Sequence, residues 1–185
     1  RLAKNKKLPY KRYQIGEVFR DEPVSANRFR QFTQADADTV GSTIKEEAEI
    51  LALAEKICKE LGIKAEIQIN NRKLLESIIK SLGITNVEFV LREIDKIEKQ
   101  GEDQVKLNLN KFIEKGQIVA LFKLLNKPLT FFSRLEGYKE LKQLINFCQF
   151  YNLNPKFKAS LARGLSYYNG PIFEIRTSDM KESVG

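Results

Sequence analysis

Three arginines, three phenylalanines and a run of acids crowd into Val18-Phe-Arg-Asp-Glu-Pro-Val-Ser-Ala-Asn-Arg-Phe-Arg-Gln-Phe-Thr-Gln-Ala-Asp-Ala-Asp38. Each guanidinium is a planar fork that matches two phosphate oxygens and stays charged at any working pH. Arg20, Glu22, Arg28 and Arg30 therefore form a grip for a polyanion. Phe32, Gln34, Asp36 and Asp38 follow at the strand period of two and fall on one face. Phosphate-holding cations lead into a ring for stacking, an amide and two carboxylates. The pattern is a nucleotide site opening into a polar small-molecule site.

Such a site needs strands to hold it, and Tyr10 to Arg20 and Arg30 to Val40 read as the two arms of a hairpin around Pro-Val-Ser-Ala-Asn. Thr43 and Glu46 then make a capping box, followed by Ile44, Ala48, Leu51, Ala54, Cys58 and Leu61 at helical spacing up to Gly62. Lys64 to Asn70 alternates as a half-buried strand, and Leu74, Leu75, Ile78, Ile79 and Leu82 mark a short helix. Thr85 to Gly101 reads as one helix with Thr85-x-x-Glu88 as its box. Two more helices follow, one on Val105, Leu109, Phe112 and Ile113, the next on Ile118, Leu121, Phe122 and Leu125. A longer helix is expected over Arg134 to Tyr151. Strands return at Lys156 to Ala162 and at Tyr167 to Thr177, with Asn169-Gly170 as a turn signal. The order predicts an α+β fold, an antiparallel sheet interrupted by a helical insertion. Its parts are residues 1–79, an insertion at 80–132, and 133–185. No Gly-rich phosphate loop is present, so nucleotide binding would rest on side chains.

Composition narrows the chemistry. At 185 residues the chain can bury one good core and a small second domain. Nothing in it is long and apolar enough to cross a bilayer, and Arg1-Leu-Ala-Lys-Asn-Lys-Lys7 does not open a signal peptide. A start at Arg1 with no initiator methionine, and the Ser-Val-Gly finish, read as cuts from a longer protein. A formal charge of +8 leaves room for a nucleic-acid partner, and a lysine-rich solvated surface accounts for it equally well. Cys58 and Cys148 resemble small core residues of a reducing, cytoplasmic setting. There is no histidine at all, which excludes Ser-His-Asp and Cys-His mechanisms and imidazole metal sites. Any chemistry must use arginine, carboxylate, tyrosine or the substrate itself.

Tyr13-Gln-Ile-Gly-Glu-Val-Phe-Arg-Asp-Glu22 and Arg30-Gln-Phe-Thr-Gln-Ala-Asp-Ala-Asp38 resemble the second signature motif of class II aminoacyl-tRNA synthetases, in its histidyl-tRNA synthetase form. Far downstream, Leu161-Ala-Arg-Gly-Leu-Ser-Tyr-Tyr-Asn-Gly-Pro-Ile-Phe-Glu174 is similar to the histidine-binding motif of that family. The resemblance implies a homodimeric ligase that joins L-histidine to tRNA(His) through histidyl-adenylate, with ATP and Mg2+. It further implies that Arg20 holds the α-phosphate and the histidine carboxylate, that Glu22 reads the adenine amino group, and that Phe32 stacks on the base. Arg28 would reach the outer phosphates. Gln34, Asp38, Tyr167 and Tyr168 would line the amino-acid pocket, Asp38 accepting from imidazole or ammonium. Arg163 would be the catalytic residue, and no metal-ligating side chain is implied.

Two positions depart from the family pattern. Ser166 stands where an aspartate is usual and cannot pair with a cation, and Asn27 stands where glycine is frequent. The first and third signature motifs and the anticodon-binding domain are missing, so the isolated chain is expected to be inactive. Two rivals are the synthetase-like regulatory subunit of ATP phosphoribosyltransferase and a basic RNA-binding module. Arg163, Tyr167 and Tyr168 speak against the first, and unclustered basic residues against the second.

Overall fold

A computed structural model describes residues 7–21, 23–24, 28–164 and 168–177. Strands β1 (Tyr10–Phe19) and β2 (Gln31–Val40) form an antiparallel hairpin in which Arg12 faces Asp38, Gly16 faces Gln34 and Val18 faces Phe32. Helix α1 (Ile44–Glu60) starts at the expected box: the Thr43 backbone N–H donates to Glu46 at 2.8 Å, and the Thr43 hydroxyl accepts from Lys45. Two of the donors left over at a helix start are satisfied in this way.

Strand β3 (Ala65–Asn71) runs directly into α2 (Arg72–Ser81), whose first turn is capped by the Asn71 side chain. Leu74, Leu75, Ile78 and Ile79 of α2 are fully buried, each worth roughly 1.5–3 kcal/mol of hydrophobic stabilisation. Helices α3 (Val87–Ile94), α4 (Ile97–Gln100), α5 (Glu102–Leu109) and α6 (Lys115–Leu125) follow, then a 3-10 turn at Leu129–Phe132 and α7 (Tyr138–Gln149). Strands β4 (Lys156–Phe157) and β5 (Pro171–Thr177) flank β3, β4 parallel to it and β5 antiparallel. The chain is thus α+β, with an antiparallel pair whose strands are separated in sequence by the helices. Ile67, Ile69 and Ile175 on one sheet face join Ala48 and Leu51 of α1 and Leu141 and Leu144 of α7 in one core. The other face carries Glu66 opposite Arg176, Gln68 opposite Glu174, and Asn70 opposite Ile172.

Several expected elements are corrected. The single helix over Thr85–Gly101 is two, because the Lys96 N–H turns back to the Glu93 carbonyl and tightens the chain after Ile94. The Thr85-x-x-Glu88 box does not form: Asn86 occupies the cap position without a side-chain bond, and Glu88 instead pairs with Arg72. Helix α5 stops at Leu109, so Phe112 lies beyond it, edge-on to Phe89 at 4.7 Å. Helix α7 begins at Tyr138 instead of Arg134, since Gly137 sits at φ +83 in the left-handed region. The strand expected over Lys156–Ala162 shrinks to two residues. Asn70 draws the carbonyls of Ala159 and Leu161 away from any ladder. Asn169-Gly170 does not turn a hairpin either, because β5 pairs with β3 and Gly170 accepts from the Arg72 N–H at 2.9 Å.

Candidate functional site

One face of the hairpin gathers Arg20, Phe32, Gln34, Asp36 and Asp38. The Arg20 guanidinium lies over the Phe32 ring at 4.8 Å and donates to Gln34 Oε1 at 2.7 Å. Gln34 passes a hydrogen bond on to Asp36 Oδ1 at 2.6 Å. Opposite Gln34, Gly16 has no side chain, and a Cβ placed there would meet nothing within 4 Å. The glycine leaves open ground beside the amide. At the base of the hairpin Asp38 accepts from Arg12 Nε at 2.7 Å, while Lys11 moors the strand to Glu49 of α1 at 2.6 Å. Arg28 stands at an isolated bridge, whereas Glu22 and Asn27 lie outside the described residues.

The second group joins Arg163, on the chain between β4 and β5, to Glu174 and Arg176 of β5. Arg163 Nη2 meets Glu174 Oε1 at 3.3 Å, and Glu174 also holds Arg176 at 2.5 Å. Glu174 is buried; desolvation pushes its carboxyl above the ordinary carboxylate range, against the pull of Arg163, Lys158 and Lys99 and with Asp95 adding to the rise. Burial outweighs the cations here. The Arg163 backbone is clamped from β3 and the start of α2. Asn70 Nδ2 donates to the carbonyls of Ala159 at 2.9 Å and Leu161 at 2.8 Å, and Arg72 Nη1 reaches the Arg163 carbonyl at 3.5 Å. The Arg72 N–H holds Gly170 at the far end of the same loop. Arg72 is itself almost fully buried between Glu76 at 2.8 Å and Glu88. Tyr168 is half-buried beside this clamp in sequence, and Ser166 and Tyr167 fall outside the described residues.

Arg20, Phe32, Gln34 and Asp36 thus form one connected group, with Asp38 held separately by Arg12; Arg163, Glu174 and Arg176 form another. Sequence reasoning passed over Glu174, Asn70, Arg72 and Arg12. Register explains the last, since Arg12 comes opposite Asp38 only once the turn length is known. Consecutive polar residues at a strand end, Asn70-Asn71-Arg72, were a usable signal for the clamp. A cavity of about 240 Å³ opens between the hairpin base and α1, bordered by Arg12, Tyr13, Asp38, Glu49 and Leu53. A larger one of about 560 Å³ lies near Lys64, Glu66, Lys156, Arg176 and Thr177, away from the hairpin residues. Among the described residues no group of three or more His, Cys, Asp or Glu is placed to hold a metal ion.

The family model described as histidyl-tRNA synthetase matches residues 1–185. Histidine–tRNA ligase 1 of Bacillus cereus is 36% identical over 207 residues, covering 98% of this chain and 47% of its own length. The histidine–tRNA ligase of Clostridium acetobutylicum is 34% identical over 188 residues, covering 90% and 44%. Among solved structures, histidyl-tRNA synthetase from Nostoc sp. PCC 7120 superposes with a TM-score of 0.82 at 29% identity, over 94% of this chain and 45% of that one. A Bacillus halodurans C protein described as an ATP phosphoribosyltransferase regulatory subunit/histidyl-tRNA synthetase shares the fold, with a TM-score of 0.81 at 16% identity over 99% and 52%. The chain spans a little under half the length of the ligases it matches.

Proposed function

This chain belongs to the histidyl-tRNA synthetase family, and from that premise we propose that the protein carrying it ligates L-histidine to tRNA(His) through histidyl-adenylate. The observation that carries the reading is the Arg20 cluster. One guanidinium touches both the ring that would stack on adenine and the amide that would meet the amino acid. ATP would displace Arg20 from the face of Phe32 and turn it toward the α-phosphate, leaving Phe32 for the base. Arg28 would hold the outer phosphates and Glu22 the adenine amino group. Gln34, Asp38, Tyr167 and Tyr168 would hold histidine.

In the first step the histidine carboxylate attacks the α-phosphorus and pyrophosphate departs. The nucleophile is already ionised, so a chain without histidine needs no general base here. The barrier comes from bringing two anions together, and preorganised cations at Arg20 and Arg163 lower it. Mg2+ would arrive on the phosphates of ATP. With the Asp38 carboxylate accepting from one ring nitrogen of histidine and a tyrosine phenol bonding the other, isosteres would be rejected, because buried polar groups would be left unpaired. We further propose a cytoplasmic homodimer, with residues 80–132 as a helical insertion between catalytic parts at 1–79 and 133–185. No helix among the described residues is long and apolar enough to cross a membrane.

The test is histidine-dependent ATP–pyrophosphate exchange in the full-length protein. Arg163→Ala is expected to slow it by about 10²–10³-fold, the effect of removing one donor to developing charge. An unchanged rate would remove Arg163 from the chemistry. A regulatory-subunit role, the second reading of the sequence, predicts no exchange even in the wild type.

A further inference from the structure

The break that divides α3 from α4 puts two acids of the helical segment against the Arg163 loop. Glu98 on α4 reaches across to the polar face of the sheet, where it pairs with Arg176 and Lys158. Arg176 in turn holds Glu174 at 2.5 Å, and Glu174 holds Arg163 at 3.3 Å. Asp95, in the turn itself, lies so close to the loop that a Cβ on Gly164 would come within 3.1 Å of its carboxylate. Four charges of alternating sign therefore run from the helical segment to the residue assigned to catalysis. The two middle members are the least exposed, with side chains 18% and 9% accessible for Arg176 and Glu174. Solvent screens them less than a surface pair, and their geometry is correspondingly fixed.

We infer that Glu98 is a positioning residue that acts through Arg176 and Glu174 to set the place of Arg163, coupling the helical segment to the active site. Arg176 keeps its charge at all working pH. With Glu98 in place its guanidinium is shared between two carboxylates. Without that partner it draws Glu174 toward itself, and Arg163 loses its hold. Arg163 is the shared end point of this inference and of the ligase reading on which it rests.

Two measurements on the full-length protein separate them. The first is hydrogen–deuterium exchange of backbone amides over residues 158–164. Glu98→Gln should speed exchange there, and adding Glu98→Gln to Glu174→Gln should bring no further increase. The second is ATP–pyrophosphate exchange, in which Glu98→Gln should lower kcat about tenfold, leave KM for ATP unchanged, and cost nothing in an Arg163→Ala background. A merely structural pair of Glu98 with Lys158 would also loosen these amides, but its effect would add to that of Glu174→Gln and would leave kcat unchanged. Unchanged amide protection over 158–164 overturns the inference, as does an unchanged kcat in a protein that catalyses exchange. A wild type without exchange would sink the ligase reading alone, and the amide measurement would still decide the relay.

Discussion

Glu47 on α1 is pushed up to about 7, chiefly by burial and secondly by Glu140 of α7, with Lys73 pulling the other way. A carboxyl raised above its unfolded value binds its proton more tightly in the native state. Native stability from this group is therefore full at pH below the ordinary carboxylate value and falls as pH rises through about 7. Glu47→Gln should remove the dependence. At pH 8 the variant is expected to gain about 1 kcal/mol, after discounting for solvent around a half-buried group, or about 2–4 °C in Tm. At pH 5 the two proteins should melt together; a gain of equal size at both pH values would show that the carboxylate is not the cause. The cysteines behave as their apolar patterns predict. Both are buried and free, and burial raises the Cys148 thiol to about 11, so it stays protonated and unreactive.

At the scale of elements, the legible parts were those with a strong local signal. The hairpin arms, the Thr43–Glu46 box of α1, the alternation of β3 and the apolar stripe of α2 all appear where the pattern put them. What escaped was decided by distant partners: Glu88 leaves its box for Arg72, and Asn70 takes carbonyls that a longer β4 would need. In the candidate site the face shared by Phe32, Gln34 and Asp38 was readable from period alone, but the Glu174 anchor of Arg163 was not. Gly137 is the sharpest element-scale case. At φ +83 it starts α7, and a Cβ there would stand 2.6 Å from the Leu74 backbone nitrogen and 2.8 Å from Asn71 Oδ1. That oxygen caps α2 by accepting from Lys73 at 2.9 Å. Gly137→Ala should strain one helix start and disturb the cap of another, costing about 2–4 kcal/mol. Thermal unfolding followed by circular dichroism checks this, and an unaltered Tm would mean that the turn relaxes freely.

At the scale of the molecule, a polar sheet face and a hairpin face each carry half of the proposed site. The hairpin turns its chemistry to one side and exposes Tyr13, Ile15 and Phe19 on the other. The helices between β3 and β5 bring Glu98 and Asp95 to the sheet half, so Arg163, the residue proposed for catalysis, ends a chain of ion pairs that starts in a segment far from it in sequence. We propose that these halves together activate one amino acid, L-histidine. The most direct test is ATP–pyrophosphate exchange by the full-length wild-type protein, run with L-histidine and with each of the other standard amino acids. Exchange with histidine and background rates with the rest is the predicted result. Exchange driven by another amino acid, or by none, would contradict it.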